Sequence, residues 1–289
     1  MICEKEKCTG CFACYNICPH NAIEMKEDEF GATYPEIIKE KCVNCKLCQK
    51  VCPQLKEIKY NTPQKAFAMY SKNGKIREES TSGGAATLFY TSILNDNGVI
   101  YGADNINCEG KFNFIRITNK EQLKRVKGSK YVHCYINNNY LKVKEDLEKG
   151  KKVLFIGTPC QVSGLKEFLI KSYDNLYLID LICHGAPTQK FLHEQIKLLK
   201  LKEKSIKKIT FRNSSGYKLS IYNENNKLIY DEYSDGVPYC REFLKGTIFR
   251  ENCYNCKYAR IERISDITIG DFWGLEKTAK IYDDEKKRD

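Results

Sequence analysis

Two kinds of hydrophobic pattern divide the chain near residue 60. Before it, apolar stretches are short. Residues 22–25 and 33–35 alternate as brief strands do, between loops rich in cysteine. After it, strand-type and helix-type patterns take turns. Residues 66–70 form a short apolar run. Residues 82–95 place Ala86, Phe89 and Ile93 on one helical face, and 99–102 and 112–117 read as strands. Ile136, Tyr140, Val143 and Leu147 recur at 4-3-4 spacing, the signature of an amphipathic helix. Residues 153–157 are apolar throughout, and 176–182 are apolar but for Tyr177 and Asp180; both read as buried-type strands. Each is followed by a helical pattern: Val162, Leu165 and Leu169, then Phe191, Leu192, Ile196 and Leu199. Ile209 and Phe211 open a strand, 219–222 and 227–230 read as a hairpin around an Asn-rich turn, and Ile267 and Ile269 mark a last strand. This order predicts an α/β domain with a mixed, partly parallel sheet.

Composition narrows the class. The 289 residues are 42% hydrophobic and 29% charged, enough for two globular units. There are 16 cysteines, nine of them before residue 53, which a secreted disulfide scaffold of this length would not cluster so. The amino terminus lacks the apolar core of a signal peptide, and no transmembrane segment is expected, since no uncharged run reaches roughly 18 apolar residues. A cytoplasmic chain with reduced or metal-bound thiols is the expectation. The formal charge is +11, yet the basic residues are 39 Lys and nine Arg. Arginine is the usual reader of bases and phosphates, so no nucleic-acid partner is expected. The Lys-rich stretch 197–208 reads as a solvated face, with a docking surface for an acidic electron carrier as the other reading.

The cysteines before residue 53 form a repeat of period 34. Cys8, Cys11, Cys14 and Cys18-Pro19 are followed by Cys42, Cys45, Cys48 and Cys52-Pro53. Both copies match the run C-x2-C-x2-C-x3-C-P of bacterial ferredoxins. Three thiolates on one tight loop reach three corners of a [4Fe–4S] cube, and the fourth points at the other cube. Cys8, Cys11, Cys14 and Cys52 should hold one cluster, and Cys42, Cys45, Cys48 and Cys18 the other. Zinc sites pair their ligands differently, without two sets of four ending in Pro. Cys3 belongs to neither set and reads as a spare thiol on a first strand. The expected organisation is an α+β ferredoxin-like domain at 1–58, a polar linker at 59–65, the α/β domain at 66–275 and a charged tail at 276–289.

In open α/β sheets, ligands bind beyond the carboxyl ends of the strands. Gly157-Thr158-Pro159-Cys160-Gln161 follows one strand and Cys183-His184-Gly185-Ala186-Pro187 follows the next. Cys253 and Cys256 form a C-x2-C pair before the last strand. Cys160, Cys183, Cys253 and Cys256 make one further set of four thiols for a [4Fe–4S] cluster. Buried structural thiols, a zinc site and a redox C-x-x-C pair remain alternatives, with Cys240 as the rival fourth ligand and Cys108 and Cys134 behind it. Thr81-Ser82-Gly83-Gly84 opens a helix whose free amides suit a phosphate or a flavin edge, although an ordinary cap explains Ser82 equally well. Gly128-Ser129-Lys130-Tyr131 is ambiguous in the same way. His184 reads as a proton donor or as a satisfied polar residue.

Taken in order, TSGGAAT, KGSKYV, GTPCQVSGL, DLICHGAPT, CYNCKYA and SDITIGDFWG resemble the beta subunit family of coenzyme F420 hydrogenase and dehydrogenase. The resemblance runs from about residue 66 to residue 274. It implies FAD, electron exchange between iron–sulfur clusters and an organic acceptor, and, in archaeal members, coenzyme F420 as that acceptor. It supports Cys160, Cys183, Cys253 and Cys256 as ligands of a third cluster. It makes Ser82, Gly83, Gly84, Ser129, Lys130, Tyr131, Thr158 and Gln161 candidates for a flavin pocket, and His184 a catalytic candidate. It also implies further strand and helix after Gly274, where this chain has 15 residues. The expected activity is that of an FAD-dependent iron–sulfur oxidoreductase working with ferredoxin or a redox partner subunit. The alternatives are an electron-transfer subunit with no substrate of its own, and a bacterial ferredoxin-dependent reductase in cell-surface polysaccharide metabolism.

Overall fold

The computed structural model describes residues 2–107, 110–213 and 216–272. Cys108, Trp273, Gly274 and the tail at 276–289 lie outside the described residues. The chain opens with helix α1 (Ala13–Ile17), the antiparallel pair β1 (Ile23–Glu27) and β2 (Thr33–Ile37), and helix α2 (Leu47–Lys50). Then come α3 (Gly74–Glu78), α4 (Ala85–Asn95), β3 (Val99–Ile106), β4 (Phe112–Ile117), α5 (Leu123–Val126), α6 (Asn139–Glu148), β5 (Val153–Gly157), α7 (Pro159–Leu169), β6 (Leu176–Leu181) and α8 (Gln189–Leu198). Strands β7 (Ile206–Thr210), β8 (Lys218–Asn223) and β9 (Leu228–Tyr233) precede α9 (Pro238–Lys245), α10 (Glu251–Tyr254) and β10 (Ile267–Ile269).

The main sheet has the order β10-β6-β5-β3-β4. Its first four strands are parallel and β4 is antiparallel to β3, so the sheet is mixed, as the sequence predicts. Strands β7, β8 and β9 form a separate antiparallel sheet. Every residue of β5 is buried, which accounts for its unbroken apolar run. At its carboxyl end Gly157 pairs with Asp180 of β6, so the loops carrying Cys160 and Cys183 leave the sheet side by side.

The amino-terminal unit is not a separate body. Phe12, Ala13 and Val51 belong to the same buried core as Tyr140, Val162 and Leu165. Asn16 on α1 donates to the Asn137 carbonyl at 2.7 Å and accepts from the Leu141 amide at 3.3 Å. On α7, Gly164 admits Cys11 directly: a Cβ there would sit 2.8 Å from the Cys11 Cβ and 3.0 Å from its sulfur.

Three local expectations change. The segment expected as a linker is pinned: Asn61 pairs backbone-to-backbone with Arg263, and the Tyr60 hydroxyl donates to the Lys257 carbonyl at 3.0 Å. Residues 66–70 form no strand, and Phe67, Met69 and Tyr70 are exposed, because no neighbouring strand supplies hydrogen bonds to them. Helix α4 is capped by Gly84 at φ +86° and starts later than the Ser82 cap anticipated, since a left-handed cap residue suits glycine.

A buried carboxylate ties β3 and β4 to α6. Asp146 accepts from the Tyr101 hydroxyl at 2.7 Å, from Arg116 Nε at 2.6 Å and Nη2 at 2.8 Å, and from Lys151 at 3.1 Å. Burial alone would raise its carboxyl, but these donors outweigh that and hold it down at about 2, against 3.8. The stability it contributes is full above about pH 4 and is lost as pH falls through about 2. Asp146→Asn is expected to cost about 2–3 kcal/mol at neutral pH, read from the chemical-unfolding midpoint. The difference from wild type should narrow steadily as pH falls below about 4.

Candidate metal centres and the loops beside them

The two repeat copies share one backbone trick. Gly10 and Asn44 sit at φ +59° and +55°, and Phe12 and Lys46 at +65° and +60°. These left-handed residues curl each C-x2-C-x2-C loop so that its three thiols face one space. Strain at the non-glycine positions costs of order 1 kcal/mol each and persists because the rest of the loop holds it. Cys8, Cys11, Cys14 and Cys52 line one cavity. Cys18, Cys42, Cys45 and Cys48 line a second. Each space thus takes three cysteines from one copy and the fourth from the other. Among the described residues, no three His, Cys, Asp or Glu side chains converge closely enough for a single metal ion.

The two cavities differ in exposure. Cys8, Cys11, Cys14 and Cys52 are all buried, whereas Cys42 and Cys45 are exposed. Burial pushes Cys11 up to about 12. Cys3 is on no strand. It lines the first cavity, where its hydrogen bonds to Cys8 and Cys52 lower those thiols to about 6 and about 7 and raise its own. No spacing rule marks Cys3; only the fold brings it there.

The third set also gathers. Cys160 opens α7, its sulfur 3.2 Å from the Thr158 hydroxyl. Burial raises the Cys160 thiol first, and the charges of Cys183, Cys253 and Cys256 add to that. Burial likewise raises Cys183 to about 12, with Cys253 and Cys256 contributing, although the residue as a whole is exposed. The Ala186 amide reaches Cys253, joining the loop after β6 to α10. Cys240 stands apart. Burial raises it to about 12 and Ser234 is its hydrogen-bond partner. Cys134 is buried and donates to the Val132 carbonyl. Tyr140 and Tyr258, both buried, feel the charges of Cys11 and Cys160 alike, so they lie between the first cavity and the third set.

Sequence reasoning missed the charges around these thiols. Asp180 is fully buried on β6 and accepts from Arg263 Nη2 at 2.9 Å. Arg263 in turn acts on Cys183. Arg250 is buried beside Cys8 and Cys253. An arginine three residues before a C-x2-C pair carries no recognisable pattern, so neither could have been singled out.

The flavin candidates divide. The Thr81 hydroxyl lies 3.3 Å from that of Ser129, which brings the Ser82-Gly83-Gly84 loop to the Ser129-Lys130-Tyr131 loop. Gly83 packs against the Met69 carbonyl, where a Cβ would sit at 2.7 Å. Lys130 donates to the Lys127 carbonyl at 2.8 Å, and burial lowers its ammonium to about 8. The Tyr131 ring stacks on Phe243 at 4.7 Å. Thr158 and Gln161 are instead occupied locally. Gln161 Oε1 accepts from the Thr158 amide and hydroxyl, both at 3.0 Å, and Nε2 donates to the Cys134 carbonyl at 2.9 Å. His184 lies edge-on between Phe243 and Phe249, its Nε2 3.2 Å from the Leu244 carbonyl.

Residues 7–55 match the family model of the 4Fe-4S dicluster domain. Residues 150–287 match the family model for the carboxyl terminus of the coenzyme F420 hydrogenase/dehydrogenase beta subunit. The loops at Ser82 and Lys130 precede this second match. No curated protein matches the chain. Among solved structures it is similar to a chain of the F420-reducing [NiFe] hydrogenase complex from Methanosarcina barkeri, studied by xenon derivatization, with 15% identity and a TM-score of 0.41. That similarity covers 62% of this chain and 63% of the other, less than two thirds of its length. No helix among the described residues is long and apolar enough to cross a membrane. The chain thus joins a segment matching the 4Fe-4S dicluster domain to one matching the carboxyl-terminal domain of the coenzyme F420 hydrogenase/dehydrogenase beta subunit.

Proposed function

We propose that this iron–sulfur electron-transfer protein is an FAD-dependent oxidoreductase with three [4Fe–4S] clusters, working between a ferredoxin or partner subunit and an organic two-electron substrate such as coenzyme F420. The observation that carries the reading is the grouping of twelve thiols into three sets of four, running from an exposed rim to the carboxyl end of the parallel strands. Thiols spread around a space, with no convergence on a point, suit a bulky cluster better than one ion.

When bound, the clusters carry single electrons and the flavin gives or takes an electron pair, which joins one-electron to two-electron chemistry. The chain's own residues do the rest. Cys8, Cys11, Cys14 and Cys52 hold the inner amino-terminal cluster; Cys18, Cys42, Cys45 and Cys48 hold the outer one. Cys160, Cys183, Cys253 and Cys256 hold the third. Tyr140, Tyr258 and α7 fill the space between the first and third sets and exclude water from it. The partly buried Lys130 ammonium has, among the described residues, a carbonyl acceptor and no carboxylate, so an anion beside it would offset its desolvation; the FAD diphosphate is the anion in this reading. Ser129 and the Ser82-Gly83-Gly84 loop border that position. His184, exposed at the loop after β6, is the candidate proton donor in this reading.

Electrons enter or leave at the outer cluster. Around the exposed Cys42 and Cys45 stand exposed Lys39, Lys41, Lys46 and Lys50, against Glu40 alone in the same stretch. Among the described residues none of these lysines makes an ion pair. Such a rim attracts an acidic carrier and accelerates its encounter.

Anaerobically purified protein should hold about twelve iron atoms per chain and one flavin. Cys45→Ala and Cys160→Ser should each remove about four irons, from the outer and third clusters respectively, and Cys45→Ala should leave flavin bound. Two clusters' worth of iron with no flavin would overturn the reading in favour of a simple electron-transfer subunit. Lys130→Met should weaken FAD binding by about tenfold while leaving the iron content unchanged. With an acidic ferredoxin as donor, the rate of reduction should fall as salt rises from about 0.05 to 0.5 M. Replacing Lys39, Lys41, Lys46 and Lys50 by Gln should flatten that dependence.

A further inference from the structure

Arg250 is 3% exposed, yet among the described residues no carboxylate pairs with it. Its Nη2 donates to the Cys8 carbonyl at 3.2 Å and to the Thr33 carbonyl at 3.3 Å. Its Nε donates to Asn252 Oδ1 at 3.3 Å, and the Asn252 amide donates onward to the Cys253 sulfur at 3.7 Å. Its guanidinium lies 5.5 Å from the Tyr34 ring centre, and Nη1 has no partner. Its own carbonyl accepts from the Cys253 amide at 2.9 Å. Nearby His133 is buried with both ring nitrogens unpartnered, and burial together with Arg250 holds it neutral, so it brings no negative charge.

A buried arginine with no anion costs several kcal/mol unless its charge is compensated. Here the guanidinium touches the Cys8 loop, which supplies three cysteines of the first set, and Asn252 of α10, next to Cys253 of the third. Its bonds to the Cys8 carbonyl and, through Asn252, to the Cys253 sulfur place it within reach of both sets. The outer set shows no contact with Arg250 among the described residues.

We infer that Arg250 is the shared counter-cation of the inner and third clusters, a positioning residue whose charge holds their reduction potentials together. Its charge acts on the first site at the Cys8 loop and on the third through Asn252 to the Cys253 sulfur. A fixed cation favours the cluster form with one more negative charge, so it raises both potentials. The outer cluster, without this cation, is set independently. This inference rests on the proposed assignment of three clusters.

The test is a redox titration of the purified holoprotein followed by electron paramagnetic resonance. In Arg250→Gln and in Arg250→Met, the inner and third potentials should shift negative together, with the outer one unmoved. Arg250→Lys, which keeps the charge, should stay near wild type. Asn252→Ala should shift the third potential alone. Unchanged potentials in the neutral variants, or a Lys variant shifted as far as they are, would overturn the inference. If the neutral variants lose iron from both sites while the Lys variant keeps it, the shared charge is supported; loss in all three assigns Arg250 a purely structural role and overturns it. A wild-type protein with only two clusters defeats the three-cluster reading instead, and its iron content shows this before any variant is made.

Discussion

The structure depends on the burial of the first cysteine loop against helix α7. Phe12, Ala13 and Val51 enter the core of the α/β sheet, and Gly164 lets Cys11 lie on the helix backbone. Burying such side chains contributes about 1.5–3 kcal/mol for each large one, which is enough to fix the angle between the two units. The same helix carries Cys160 in its first turn. One rigid element therefore sets the spacing between two groups of thiols, and a flexible linker could not have done so. The short polar segment at 59–65 is fastened down for the same end, by Tyr60 and Asn61.

Burying this many ionisable groups around thiols is costly, and the fold answers the cost in three ways. Asp146 collects donors from three side chains, so its hydrogen bonds outweigh its desolvation. Asp180 and Arg263 neutralise each other beside the third set. Among the described residues Arg250 and Lys130 have no acidic partner, and both stand where the proposed cofactors would bring negative charge. The formal charge of +11 has the same meaning. An oxidised cluster with its four thiolates carries about −2, so three of them would lower the total to roughly +5.

Much of the architecture was legible in the sequence. The largely apolar runs of β5 and β6 gave parallel central strands, and the 4-3-4 spacing gave α6, because periodicity follows directly from burial on one face or two. Helix α9 was not anticipated, although Pro238 at its first turn and Gly246 just past its end are ordinary boundary signals. The apolar run at 66–70 read as structured but lies exposed, since hydrophobicity alone does not supply a pairing partner. Thr158 and Gln161 read as ligand-binding residues, whereas their polar atoms close the start of α7.

The sequence by itself determined which cysteines form the amino-terminal sets. Spacing within a tight loop is a local property, and a repeat of 34 residues applies it twice. It also placed Cys160 and Cys183 at one sheet edge, because parallel neighbouring strands end together. Only the tertiary structure decided that Cys253 and Cys256 join them while Cys240 does not, that Cys3 enters the first cavity, and that Arg250 reaches two sites at once. Those contacts link residues up to 242 positions apart. They arise from how whole elements pack, and no local pattern in the chain encodes that.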